Sequence, residues 1–409
     1  MNQAHCRFCA APLSRVLVDL GLSPVSNSFL KKEQLGADEP RFPLKVYVCD
    51  ECYLNQIEPF GKPEEIFDDY VYFSSYSQSW LAHAKRYAEM AAAKLSLGAN
   101  SLVVEIASND GYLLQYFREL NIPVLGVEPA HTVAEAAQKK GVPTWQRFFG
   151  VETAKELVAQ GKQADLLIGN NVLAHVPDLN DFVAGLAIAL QPKGTITIEF
   201  PHLMQLIENA QFDTIYHEHY SYLSLVTVQR VFAAHGLEIY DVEEIPTHGG
   251  SLRIYAGHRD VFPQASSRVT ALLETERAKG YESGVAYEGF AAKVDRIRAD
   301  LLDFLNKARA DGKKVAGYGA AAKGNTLLNY CGIGKDLVAF VADANPHKQN
   351  LYLPGSHIPV VAPERIFSEK PDYVLILPWN LTDEISSQLK EIRDWGSRFV
   401  VAIPSMRIF

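Results

Sequence analysis

Residues 101–114 read Ser101-Leu102-Val103-Val104-Glu105-Ile106-Ala107-Ser108-Asn109-Asp110-Gly111-Tyr112-Leu113-Leu114, and the order of residue types here decides the fold. The apolar run reaching Glu105 reads as a strand buried on both faces. It breaks at a short polar loop whose glycine lets the backbone approach a ligand. A helix then begins, with its free N–H groups turned toward that loop. A second apolar run, VLGVE, ends about twenty residues later in Glu128, where a carboxylate can hold both hydroxyls of a ribose. The pair suits a nucleoside cofactor. The loop has no GxGxxG, so a dinucleotide pyrophosphate is not its expected occupant.

Outward from this stretch, the runs ADLLIGNN and TITIEF read as further buried strands separated by helical sequence. That alternation predicts a doubly wound α/β sheet. Upstream, SSYSQSWLAHAKRYAEMAAAKL has apolar residues at helical spacing after a serine-rich start, predicting a helix from Val71 to about Lys94. Downstream, HGGSLRIYAG predicts another strand, residues 268–310 a charged helical connector, and KVAGYGAAAKGNTLLNY, LVAFVADAN, DYVLILPW and RFVVAIP a second α/β unit. The expected organisation is an N-terminal module over 1–70, the first α/β domain over 71–265, and a connector with the second α/β domain over 266–409.

At 409 residues the chain exceeds a single comfortable core. Its 39 basic and 48 acidic residues give a net charge of −9, which argues against nucleic acid or an acidic membrane as partner. No basic-then-apolar leader and no run of roughly 20 apolar residues occurs, so a cytoplasmic protein is expected. Four of the five cysteines form two CxxC pairs, Cys6/Cys9 and Cys49/Cys52. Two residues between thiolates let one turn present both sulfurs to a tetrahedral ion, and four cysteines close the site, so a structural zinc is expected. A redox role would need only one pair. Cys331 reads as a small apolar residue.

The densest polar cluster is Tyr216-His217-Glu218-His219-Tyr220-Ser221-Tyr222. Each of its buried polar groups needs a partner, so such a cluster marks proton or metal handling. His217 and His219 on one strand face could ligate a metal, but no third ligand is evident. Tyr220 and Tyr222 suit a core, and His217 suits packing or support of the site.

The order Glu105, Asp110-Gly111, Glu128, Asn170-Asn171-Val172-Leu173-Ala174-His175-Val176-Pro177-Asp178, then Gln191-Pro192-Lys193-Gly194 before TITIEF, resembles class I S-adenosylmethionine methyltransferases. Glu105-x-x-Ser108-Asn109-Asp110-Gly111 stands where their D-x-G-x-G core is usual. With the paired CxxC block, SSYSQSW, YHEHYSYLS, HGGSLR and GYGAAAKGNTLLN, the chain resembles, over nearly its whole length, the sugar-nucleotide C-methyltransferases. These methylate C3 of 4-keto-deoxy sugars. The resemblance implies a zinc-binding module, a Rossmann-like class I methyltransferase domain, and a Rossmann-like C-terminal domain helping to bind a dTDP-linked sugar; the sequence leaves the oligomeric state open, a monomer being compatible with it. It implies donor binding by Glu105, Ser108, Asp110, Gly111, Glu128, Pro129, Phe148, Asn170 and Asn171. By the same resemblance His219 takes the C3 proton, Glu218 orients the site, Tyr216 and Tyr76 contact the sugar or its enolate, and His175 faces the same cleft.

Gly317-Tyr318-Gly319-Ala320-Ala321-Ala322, with Asp343 closing the next strand, formally matches an NAD fingerprint. Taken alone it predicts an oxidoreductase or epimerase. The resemblance instead assigns Gly319, Ala321 and Lys323 to the nucleotide sugar, with Asn325, Asp343 and Lys348 as weaker candidates. A zinc-module scaffold with a degenerate cofactor fold is the non-enzyme alternative.

Overall fold

The computed structural model describes residues 4–58, 73–262 and 264–409. The expected boundary at 70/71, and the expected start of the first helix at Val71, lie outside the described residues. The chain forms two compact units: Met1–Ser14, Cys49–His202 and Tyr220–Val285 make the first, and Arg15–Val48, Leu203–His219 and Ala286–Phe409 make the second. The units are thus interleaved along the sequence and are cut differently from three consecutive segments.

In the first unit the strands Val103–Ile106, Val124–Val127 and Thr144–Trp145 lie side by side and parallel. Ala164–Asn170 and Leu190–Pro201 continue the sheet in parallel on the other side of Val103–Ile106. Ser251–His258 is antiparallel to Leu190–Pro201, and Leu237–Ile245 is antiparallel to Ser251–His258. The order reverses between Val103–Ile106 and Ala164–Asn170, which is where an open α/β sheet opens a ligand crevice. The expected strand ends one residue later than Glu105. The helix begins at Gln78, where the hydroxyl of Ser77 accepts from the Trp80 N–H, and runs to Lys94. It buries Ala84, Tyr87, Ala88 and Ala91 against Val103, Leu113 and Phe117. Asn55–Ile57 pairs with Ser221–Tyr222, and Tyr220 and Tyr222 are buried, as a core role requires.

The second unit contains a parallel sheet in the order Val360–Val361, Val341–Ala342, Val315–Tyr318, Tyr373–Ile376, Arg398–Val401, edged by antiparallel Arg407–Ile408. The helix Ala322–Cys331 follows Val315–Tyr318 and buries Cys331. The antiparallel hairpin Arg15–Ser23 and Phe42–Val48 belongs to this unit. The burial of Phe42–Val48 alternates as in a half-covered strand, but the hairpin's partners lie some three hundred residues away. The connector resolves into the helix Ser267–Ala278 in the first unit and Phe290–Ala310 in the second.

Candidate active site

The two cysteine knuckles have one design. In each, the amide four residues after the first cysteine donates back to that cysteine's carbonyl, Ala10 to Cys6 and Tyr53 to Cys49, and both Ala10 and Tyr53 adopt left-handed backbone. The four sulfurs all lie within 4.8 Å of one another, with Cys6–Cys52 and Cys9–Cys49 at 3.5 Å. Zn–S bonds of about 2.3 Å in a tetrahedron put sulfurs about 3.8 Å apart, so the set fits a zinc ion with no position left for substrate. Gln56 Nε2 donates to Cys6 Sγ at 3.2 Å, as thiolate ligands require. Among the described residues this is the one cluster of such ligands. His217 and His219 lie in a turn and not along a strand face.

The donor loop after Val103–Ile106 is bent by left-handed backbone at Ala107, Asn109 and Gly111. At Gly111 an added Cβ would stand 2.9 Å from Val142 Cγ2 at a φ of +74°, so glycine is required. Glu128 holds the loop: its Oε2 accepts from the Asn109 N–H and its Oε1 from the Ala130 N–H, both at 2.9 Å. Burial pushes Glu128 up to about 7, against the pull of those two amides. Glu105 is raised well above the ordinary carboxylate value by burial, which the Tyr112 side chain opposes and Glu128 reinforces. Ser108 Oγ, Asp110 Oδ1, Asn170 Oδ1 and Asn171 Oδ1 are buried without a hydrogen-bond partner. A polar ligand that supplies donors and accepts few, as the ammonium and ribose of S-adenosylmethionine do, fits this set.

The same loop is tied to the serine-rich segment. The Ser74 N–H donates to Asn109 Oδ1 at 2.9 Å, Ser75 Oγ donates to Asp110 Oδ2, and Lys140 Nζ reaches Asp110 Oδ2 at 2.7 Å. Tyr76 ends that turn, stacked on Phe73 and 55% exposed. Pro129 lies between Glu128 and Ala130 and is half-buried. Phe148 is exposed, its carbonyl accepting from Thr153 Oγ1. His175 closes the short turn Leu173–His175 after the Asn170-Asn171 strand end. Sequence reasoning missed Ser74, Ser75 and Lys140; the first two lay inside the quoted serine-rich motif, while nothing local marked Lys140. It also missed the pairing of Asn171 Nδ2 with His248 Nε2 at 3.1 Å, although His248 belongs to HGGSLR.

In the second unit, residues 212–219 form a short turn followed by a compact loop. His219 Nδ1 faces the Thr214 carbonyl at 2.8 Å and its Nε2 faces Tyr216 Oη at 2.7 Å, with the rings 4.0 Å apart. A carbonyl only accepts, so Nδ1 carries the hydrogen and Nε2 is the basic nitrogen, accepting from the phenol. Glu218 is 2% exposed; Asn27 Nδ2 donates to its Oε1 at 3.0 Å, and its Oε2 is buried without a partner. Burial raises its pKa. His217 packs edge-on to Phe42 and burial lowers its pKa, as a packing residue's would be. Asp213 Oδ2 accepts from Trp379 Nε1 at 2.8 Å, and burial pushes Asp213 up to about 6 against the opposing charge of Lys323.

At the second fingerprint, Gly319 has a φ of +87° and an added Cβ would stand 2.5 Å from Pro378. Asp343 spends Oδ2 on the Ala320 N–H and Oδ1 on the Asn345 N–H, both at 2.7 Å. Lys348 Nζ donates to the Ala320 carbonyl at 2.8 Å, Lys323 Nζ to Asn380 Oδ1 at 3.2 Å, and Asn325 Nδ2 to the Ser26 carbonyl at 2.6 Å. Ala321 is the residue before the helix.

Residues 6–67 match the family described as "Putative zinc binding domain", 80–242 "Methyltransferase domain" and 246–404 "C-methyltransferase C-terminal domain". The chain is 36% identical over 404 residues to C-methyltransferase NovU of Streptomyces niveus, covering 99% of this chain and 96% of that protein. It is 34% identical over 100 residues to ubiquinone biosynthesis O-methyltransferase of Methylobacterium sp. (strain 4-46), covering 24% of this chain and 39% of that one. Among solved structures, magnesium protoporphyrin IX methyltransferase of Synechocystis PCC 6803 with bound SAM is 14% identical, covering 49% of this chain and 99% of that chain at a TM-score of 0.36.

Proposed function

This chain belongs to the C-methyltransferase family and is an S-adenosylmethionine-dependent, zinc-binding C-methyltransferase; on that footing we propose that it methylates C3 of a dTDP-linked 4-keto-deoxyhexose in deoxysugar biosynthesis. The observation that carries the proposal is the Tyr216–His219 pair, a neutral imidazole whose basic Nε2 is fixed by the Nδ1 bond to Thr214. A hydrogen beside a ketone is removable as a proton because the electron pair left behind delocalises into an enolate. S-adenosylmethionine, when bound, supplies an electrophilic methyl group.

His219 Nε2 takes the C3 proton. At rest that nitrogen accepts from Tyr216, so proton uptake requires the phenol to redirect its hydrogen. The developing enolate oxygen is the acceptor that rewards this switch, and Tyr216 thereby stabilises the charge as it forms. Glu218 keeps the imidazolium and the sugar oriented, while Tyr76 and His175 complete the sugar's surroundings. Glu105, Ser108, Asp110, Gly111, Glu128, Pro129, Phe148, Asn170 and Asn171 hold the methyl donor. The turn at Gly319 and Ala321, with Lys323, receives the diphosphate at a helix N-terminus, and Asn325, Asp343 and Lys348 are the weaker candidates around the rest of the nucleotide.

The test is incubation with labelled S-adenosylmethionine and a panel of dTDP- and GDP-linked 4-keto sugars, read by mass. One added methyl on a dTDP-4-keto sugar is expected, and no gain on any member of the panel would refute the substrate class. His219→Asn is expected to bind donor and sugar normally while losing most turnover, and near-normal turnover would remove His219 from the role of base.

A further inference from the structure

The loop bearing Glu218 and His219 is held from two directions, and both lead to one helix. Thr326 Oγ1 donates to the Ile215 carbonyl at 2.8 Å. The residue before it, Asn325, donates through Nδ2 to the Ser26 carbonyl at 2.6 Å. The next residue along that segment, Asn27, donates through Nδ2 to Glu218 Oε1 at 3.0 Å. Ser26, Asn325, Thr326 and Glu218 are each no more than 2% exposed, so these are fixed bonds inside a core. Asn27 itself is exposed. Both its side chain and its backbone favour the ionised form of Glu218, against burial. The second oxygen of that carboxylate, Oε2, is buried and has no partner, which is the state of an acceptor waiting for a donor.

We propose that Asn27 is a positioning residue that anchors Glu218 Oε1 so that Oε2 is presented to a hydroxyl or amino hydrogen of the substrate sugar. The helix Ala322–Cys331 fixes Asn27 through Asn325 and Ser26, and fixes the loop backbone through Thr326. The helix that starts at the Gly319–Ala321 turn therefore sets the geometry of the proton-transfer loop. This rests on the assignment of Glu218 and His219 to proton removal. A carboxylate misplaced by about 1 Å at such a site costs on the order of 100-fold in rate.

The experiment uses the full-length enzyme with a dTDP-4-keto-6-deoxyhexose and S-adenosylhomocysteine in D2O, following exchange of the hydrogen beside the ketone by NMR, alongside methyl transfer. Asn27→Ala is expected to slow both by about 10- to 100-fold, with S-adenosylmethionine affinity and thermal midpoint unchanged. A loss confined to stability or donor affinity, or exchange at the wild-type rate, overturns the proposal. If Asn27→Ala does not fold, Asn27→Asp keeps the shape, loses the amide donor, and decides the same question. Glu218→Gln separates the two levels. Wild-type exchange in Glu218→Gln brings down the assignment of Glu218, and with it the proposal. Slow exchange in Glu218→Gln together with normal exchange in Asn27→Ala removes the role of Asn27 alone.

Discussion

Glu128 clamps the loop after Val103–Ile106 through the Asn109 and Ala130 amides, and the proposed donor site gives the same carboxylate to a ribose. Burial lifts it from an ordinary 4.5 to about 7. The protonated form therefore favours the fold, a contribution complete below about pH 4.5 and lost as the pH rises through about 7. Ribose hydroxyls require the ionised form, so donor binding moves the opposite way. Between pH 6 and 8 the affinity for S-adenosylmethionine is expected to rise about tenfold, one proton being released. Calorimetry on wild type and Glu128→Gln checks this: the variant should bind more weakly at pH 8 and lose the slope, and a slope retained without the carboxylate would assign it elsewhere. Glu105 and Glu128 stand out in the sequence because a carboxylate at the end of an apolar run has few structural uses, and both are buried at strand ends. Asn27 does not stand out, since its meaning lies in a bond to a residue 191 positions away.

The zinc knuckles were legible as elements, from spacing alone, but what they grip was not. Arg7, inside the first knuckle, donates to the Pro177 carbonyl at 3.0 Å and the Ile57 carbonyl at 2.5 Å, and lies over the Tyr220 ring. Asn180 donates to the Phe8 carbonyl, and from the second knuckle Cys52 and Glu51 offer carbonyls to Thr227 and Arg230. The metal thus fastens the turn after His175 to the helix Leu225–Ala234, which a closed site can do without touching chemistry. Arg7→Ala is expected to cost roughly 2–4 kcal/mol in denaturant unfolding, since two partly buried charged hydrogen bonds vanish. It should retain about one zinc per chain. Stripping the metal should raise amide exchange across 173–180 and 225–230 beyond the rest of the first sheet. Exchange unchanged in both segments would reduce the zinc to a local staple.

At the scale of the whole molecule, consecutive α/β blocks were legible from their alternating strands and helices, whereas the threading was not. Periodicity identifies an element's buried face but not its partner, and two pieces early in the chain have their partners at its end. Leu30 pairs with Tyr352, the Glu39 carboxylate accepts from the Gly355 N–H, and Thr326 holds the Ile215 carbonyl. A chain stopped after residue 265 would keep every strand of the first sheet yet strand the hairpin Arg15–Ser23 and Phe42–Val48 and the segment Leu203–His219 without their core. Buried backbone and apolar faces left so are what drive association. That fragment is therefore expected to self-associate on size exclusion, bind a hydrophobic dye, and unfold without a sharp transition, although the residues proposed to hold the donor are all present. A monodisperse fragment that unfolds cooperatively and binds S-adenosylmethionine as tightly as the full chain would show that the interleaving is a feature of connectivity and not of stability. The expectation follows from which groups lose their partners, because a sheet complete in its strands does not supply hydrogen bonds or apolar cover to segments whose partners belong to the other unit.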